Sequence, residues 1–114
     1  MGALLGREQG AAGSQKPEVM IIVWSPEAID DLAALRAYIA EENPAAAQRV
    51  ALRIVRSVED LLPGQPHIGR PGRVPGTREL VVPKTPYVVP YRVRDNRIQV
   101  LRIYHGARKW PERF

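Results

Sequence analysis

Residues 19–50 read VMIIVWSPEAIDDLAALRAYIAEENPAAAQRV, an apolar run that gives way at Ser25-Pro26 to two helical periods. Val19–Trp24 is unbroken and rich in β-branched side chains, which predicts a strand buried on both faces. Ser25 suits an N-cap and Pro26 the first helical position, while Glu27, Asp30 and Asp31 suit the positive end of the helix dipole. Ile29, Leu32, Leu35 or Arg36, and Ile39 then recur at helical spacing up to about Glu42. Asn43-Pro44 repeats the cap and opens a second helix. Its apolar stripe is Ala47, Val50, Ala51, Ile54, Val58 and Leu61, and Pro63-Gly64 stops it. Two helices joined this closely predict an antiparallel hairpin.

Downstream, residues 65–76 carry Gly, Pro, Arg70 and Arg73 and read as a loop. Three strands are expected, at Arg78–Val82, Tyr87–Arg94 and Gln99–Tyr104, with Asp95-Asn96 as a tight hairpin turn. Pro90 lacks an N–H, so the middle strand should be interrupted there by a bulge or an unpaired edge. The order is β-α-α-β-β-β, an α+β fold whose antiparallel sheet packs against the N-terminal helix hairpin. Upstream, residues 1–18 show no sustained period and read as a disordered tail, leaving 19–114 as the domain. Ala3, Leu4 and Leu5 are too short for a secretory leader, so a cytoplasmic protein is expected. Translation could start at Met1 or Met20.

At 114 residues, 45% hydrophobic and 25% charged, the chain has room for one globular domain. No run approaches 18 apolar residues, so no membrane-spanning helix is expected. With no cysteine and only His67 and His105, disulfides, thiol catalysis and a zinc site have no ligands to build on. The segment GRPGRVPG lacks the Lys-Ser/Thr of a phosphate-binding loop. Charge is unevenly spread. Residues 20–62 hold four basic and seven acidic side chains, whereas residues 63–114 hold eleven and three. That asymmetry points to a cationic face for nucleic acid or an acidic protein, or to a well-solvated basic surface.

The order of elements, together with WSPEAIDDL, YIAEENPAAAQRV, GRVPGTRELVV, TPYVVPYRV and the ending VLRIYHGARKWP, resembles the RelE/ParE superfamily of toxins from bacterial type II toxin–antitoxin systems. The resemblance runs from Met20 to the C-terminus. It implies a growth inhibitor silenced by a cognate antitoxin, acting without metal or organic cofactor. Two modes are implied: ParE-like members poison DNA gyrase, and RelE-like members cut messenger RNA on the ribosome.

The nuclease pattern implied by the family has lysines on the second strand, an arginine early on the third, an arginine after the fourth and a terminal tyrosine. Here the second strand reads Arg78, Glu79, Leu80, Val81 and Val82, Val88 stands where the arginine would lie, and Phe114 replaces the tyrosine. Arg108 matches the late arginine. His105 could move a proton, so Arg78, His105 and Arg108 form the candidate catalytic set of a metal-independent endoribonuclease. Alternatively, His105 only caps the last strand by bonding to backbone. The vacant positions favour the gyrase mode. Period-two alternation puts Arg92 and Arg94 on one face of the third strand and Arg102 with Tyr104 on one face of the fourth, and the sheet is cationic away from the helices if those two faces coincide. With Arg73, Lys109 and Trp110 they form the candidate partner or nucleic-acid surface, and the solvent side of a half-exposed sheet is the alternative. Trp110 should either fold back onto the domain or be covered by a partner. Asp30, Asp31, Glu41 and Glu42 are expected on solvated helix faces.

Overall fold

The structure, a computed structural model, describes residues 20–107 and 110–114. The expected tail, residues 1–18, and the candidates Arg108 and Lys109 lie outside the described residues. The elements are β1 (Ile21–Trp24), α1 (Pro26–Ala40), α2 (Pro44–Arg56), one π turn (Ser57–Leu61), β2 (Arg70–Pro71), β3 (Arg78–Val81), β4 (Tyr87–Arg94), β5 (Arg97–Val100) and β6 (Tyr104–His105). The α+β architecture expected from the sequence is the one observed. Both helices open as the sequence predicts: Ser25 Oγ accepts from Ala28 N–H, and Asn43 Oδ1 accepts from Ala46 N–H. Ser25 also donates to the Leu101 carbonyl at 2.8 Å, which ties the start of α1 to the strand region beneath it.

The sheet runs β1-β5-β4-β3-β2, with β6 also paired to β4. β1 lies parallel to β5, with Ile22 opposite Ile98, and the other pairings are antiparallel. The sheet is therefore mixed rather than wholly antiparallel, because the helix hairpin carries the chain to the far edge and the meander from β2 to β5 brings it back beside β1. Burial on both faces of the first strand is not observed. Ile21 and Val23 are exposed while Ile22 and Trp24 pack against the core. β1 is an edge strand, and the helices cover only one face of the sheet.

The core lies between that face and the hairpin: Ala28, Leu35, Ile54, Val58 and Leu62 meet Leu80, Val89, Tyr91, Ile98 and Val100. Two details of the helical stripes differ from expectation. Ala28, not Ile29, turns inward on α1, and Leu62 replaces Leu61 at the end of the second helix. The π turn explains the latter, since its wider winding brings position i+4 from Val58 onto the buried face. Glu59 on that turn accepts from Trp24 Nε1.

Pro90 does interrupt its ladder, on one side only. Toward β3 the register is continuous, with Glu79 opposite Pro90. Toward the C-terminal strands, Tyr91 pairs with Val100 but Val88 pairs with Tyr104. Leu101, Arg102 and Ile103 thus span the place of Val89 and Pro90. The extra residue is a bulge that splits the expected Gln99–Tyr104 strand in two, opposite the residue that has no N–H to give. Asp95 and Asn96 both take positive φ, 54° and 61°, forming the primed turn that matches the twist of β4 and β5.

Candidate functional site

The candidate residues named from the sequence do not gather into one site, and three places are described in turn: the flanks of β4, the open face of the sheet and the groove of the helix hairpin. Arg78 opens β3, and its Nη1 donates to the carbonyls of Gly69 (2.8 Å) and His67 (3.2 Å). It stands opposite Tyr91. His105 on β6 stands opposite Tyr87, and the two rings meet edge to face at 5.7 Å. Its Nδ1 accepts from Ala107 N–H, the backbone-capping arrangement. Tyr87 and Tyr91 are four residues apart on β4, roughly 13 Å along the strand, and β3 and β6 flank β4 on opposite sides. Arg78 and His105 are therefore not brought together. Where Arg108 lies is outside the described residues.

The second place is the sheet face away from the helices. Glu79 on β3 is 1% exposed and collects cations: Arg70 Nε and Nη2 approach it at 3.0 and 2.9 Å, and Arg73 N–H donates at 2.7 Å. The Arg73 guanidinium then lies 4.0 Å over the ring of Trp110. Trp110 meets Tyr104 edge to face at 4.8 Å, and Phe114 stacks on Tyr104 at 6.3 Å. The C-terminal arm thus folds back onto the sheet, burying the Trp110 indole N–H without a hydrogen-bond partner among the described residues. Nothing in the sequence marked Glu79 beforehand; its only signal is an acid at an alternating strand position beneath an arginine-rich loop.

Arg102 does not join the open cationic face as expected. Its Nε and Nη2 bind Asp31 of α1 at 2.8 and 3.0 Å, and this hydrogen-bonded carboxylate holds the guanidinium's pKa above its ordinary value. Asp31 also accepts from Ile103 N–H at 3.0 Å. The bulge opposite Pro90 breaks the period-two alternation and sends this arginine to the helix layer. Asp31 is accordingly a tie between layers rather than a solvated helix acid.

Arg92 and Arg94 do share the open face with Arg97 and Gln99 of β5; Arg92 Nε donates to Gln99 Oε1 at 2.8 Å. At the end of the sheet, β4 runs past the first residue of β3. There His67, Pro71, Gly76, Thr77, Arg78, Arg92 and Val93 line a cleft of about 310 Å³. The third place is the outer groove of the helix hairpin, about 420 Å³, where Ile29, Leu32, Ala33, Ala51, Leu52 and Val55 meet Arg36 and Gln48. Ile29 and Leu52 are about half exposed, 54% and 47%. On the far side of α2, Arg49, Arg53 and Arg56 surround a cleft with Leu52, Leu61 and Asp60.

The architecture is thus a two-helix layer on one face of a mixed sheet, with a cationic open face and an apolar helical groove. The family model described as ParE toxin of type II toxin-antitoxin system, parDE, matches residues 22–110. Y4kP of Sinorhizobium fredii, named as a candidate toxin, is 41% identical over 91 residues, covering 80% of this chain and 93% of that protein. Toxin RelE2 of Caulobacter vibrioides is 41% identical over 87 residues, 76% of this chain and 96% of that one. A chain from the chromosomal ParDE TA system from P. aeruginosa superposes with a TM-score of 0.69 at 34% identity, covering 76% of this chain and 96% of its own. The chain belongs to the ParE toxin family and is the toxin of a type II toxin–antitoxin system, a family that implies a cognate antitoxin partner. No described helix is long and apolar enough to cross a membrane.

Proposed function

We propose that this toxin arrests growth in the ParE manner, by poisoning DNA gyrase in the cytoplasm, and that its antitoxin silences it by docking on the helix-hairpin groove. The observation that carries the reading is the scatter of the nuclease candidates. Metal-free cleavage of RNA needs a proton acceptor at the 2′-hydroxyl, a cation at the phosphate and a proton donor at the leaving oxygen, all within hydrogen-bond reach of one phosphate. Arg78 and His105 lie on opposite flanks of β4, Arg78 is spent on two backbone carbonyls, and His105 accepts from Ala107 N–H. β3 offers a buried, cation-bound Glu79 and no lysine.

The antitoxin half rests on the exposed Ile29 and Leu52 and on the toxin's basic excess. They suit an amphipathic segment with apolar anchors and acidic flanks. The test is paired. Purified toxin added to gyrase and relaxed plasmid should block supercoiling and be relieved by antitoxin. The same toxin in a translating extract should leave messenger RNA uncut, with His105→Ala indistinguishable from wild type in both assays. Site-specific cuts in ribosome-bound messenger RNA that vanish with His105→Ala would overturn the gyrase reading in favour of a RelE-type nuclease.

A further inference from the structure

The two edges of the sheet are finished differently. At one edge β2 is two residues long and contains Pro71, which has no N–H, so it cannot extend a ladder. At the other edge β1 has no charge, proline or bulge, and it pairs with β5 alone. One bond fixes which way its backbone groups point: Ser25 N–H donates to the Val100 carbonyl at 3.0 Å. These groups alternate along a strand, so Ile21 and Val23 also turn theirs toward β5, and Met20, Ile22 and Trp24 turn theirs outward. The outward groups have no backbone partner among the described residues. Side chains alternate as well. Ile21 (61% exposed) and Val23 (43%) stand on the open face, while Met20, Ile22 and Trp24 pack partly against the core.

We propose that β1 pairs antiparallel with β1 of a second copy of this chain, about a two-fold axis at Ile22, so that the two sheets become one. A two-fold axis across the edge makes the strands antiparallel, and alternation restricts the register, because opposed residues must share a face. With Ile22 opposite Ile22 of the other copy, Met20 stands opposite Trp24, and the three outward positions exchange about six hydrogen bonds. Centring on Val23 instead would pair only Ile22 with Trp24 and form fewer. In the favoured register Ile21 stands opposite Val23 of the other copy in a close, non-hydrogen-bonded pair, so each exposed apolar pair covers the other.

Charge supports the same order. The start of β1 lies beside Arg97, with Arg94 next to it. Its end carries Glu59 on Trp24 Nε1 and Glu27 in the first turn of α1. Antiparallel pairing sets the acidic end of each β1 alongside the basic end of the other. The two Arg97 side chains are rooted three strand spacings and two residues apart, roughly 16 Å, which exceeds the Debye length of about 8 Å at physiological salt. An acidic segment, by contrast, meets no cation on β1 itself, and the groove proposed for the antitoxin lies on the helix hairpin. The pairing stands independently of how the toxin arrests growth.

The seam is small, so association should be weak, with a dissociation constant on the order of tens of micromolar. Sedimentation velocity of the full chain at about 2 and about 200 µM should show monomer at the lower concentration and mostly dimer at the higher. Val23→Lys puts a charge into the seam from an exposed position, and it should stay monomeric at both with an unaltered melting curve. Val81→Lys, at a site 47% exposed on the same face but away from the seam, should dimerise as wild type does. Cross-linking reads the register, and the absence of cysteine from the chain makes the readout clean. Oxidised separately at the higher concentration, Ile21→Cys and Val23→Cys should not cross-link, because like positions lie about 8 Å apart. Mixed, they should form a covalent dimer, since the Cα atoms of that pair stand about 4.5 Å apart. A wild type that remains monomeric at the higher concentration would overturn the proposal. So would a dimer that survives Val23→Lys, or cross-linking in either variant alone. A monomeric wild type whose Val23→Lys variant binds antitoxin less tightly would assign the edge to the antitoxin instead.

Discussion

Tyr91 is fully buried on β4, and its hydroxyl accepts from Gly69 N–H at 2.9 Å while donating to the Pro66 carbonyl at 2.8 Å. Gly69 is required by closeness: a Cβ there would sit 2.7 Å from Tyr91 Cε1 and Oη. Burial is the main force raising this phenol's pKa above its ordinary 10.0, and Tyr87 is raised for the same reason. With both pKa values raised in the folded state, the unfolded chain releases these protons first, so it binds fewer than the native one above pH 10. Stability is therefore whole below that pH and falls as pH rises through the folded values. Urea midpoints should stay level into mildly alkaline buffer and then drop. Tyr91→Phe should flatten the drop while costing about 1–2 kcal/mol at neutral pH, because the Gly69 N–H is left unpaired. An unchanged alkaline slope in Tyr91→Phe would show that other groups drive it. At Glu79 the asymmetry of burial decides the outcome. Glu79→Ala strands the Arg73 N–H and should cost about 2 kcal/mol, whereas Arg70→Ala, with a half-exposed side chain and Glu79 still bound to Arg73, should cost less than about 1 kcal/mol. Equal losses in denaturant titrations would contradict this ordering.

At the scale of elements, what the sequence disclosed was local chemistry, and what it withheld was register. Ser25-Pro26 and Asn43-Pro44 name their helices because a cap and a fixed φ act within three residues. Pro90 announces a break because its missing N–H is a property of one residue. Which strand absorbs the break depends on pairing between distant segments, so the bulge at Leu101–Ile103 and the redirection of Arg102 to Asp31 were not legible. The π turn and the parallel placement of β1 beside β5 escaped for the same reason. The bulge supplies a test of its anchoring. Asp31 holds both the Arg102 fork and the Ile103 N–H. Asp31→Ala frees both, whereas Arg102→Ala leaves the carboxylate on Ile103 N–H. Chemical denaturation should show Asp31→Ala the more damaging by about 1 kcal/mol. The reverse order would mean that the guanidinium stacking 4.9 Å from the Tyr104 ring, and not the backbone tie, secures the bulge.

Over the whole molecule, most of the basic excess lies on the sheet side while the exposed apolar anchors lie on the helix hairpin, flanked there by Arg36 and Arg49, and this distribution separates how fast the antitoxin arrives from how long it stays. The basic excess lies in residues 63–114, and Arg94 and Arg97, at the hairpin end of the sheet, form no ion pair among the described residues. The exposed apolar anchors, Ile29 and Leu52, lie on the hairpin groove. Fields from exposed charges act over a Debye length, about 10 Å at 0.1 M salt, and mainly steer encounter. Burial of Ile29 and Leu52 is short-ranged and nearly indifferent to salt, so it governs escape. In surface-capture kinetics with an acidic antitoxin, raising salt from about 50 to about 500 mM should slow association on the order of tenfold. Dissociation should change by less than about twofold. Leu52→Ala, which removes part of an anchor, should quicken dissociation several-fold and leave the salt dependence of association as it was. A dissociation rate that climbs steeply with salt while association holds constant would place ion pairs, not the groove, at the centre of the interface.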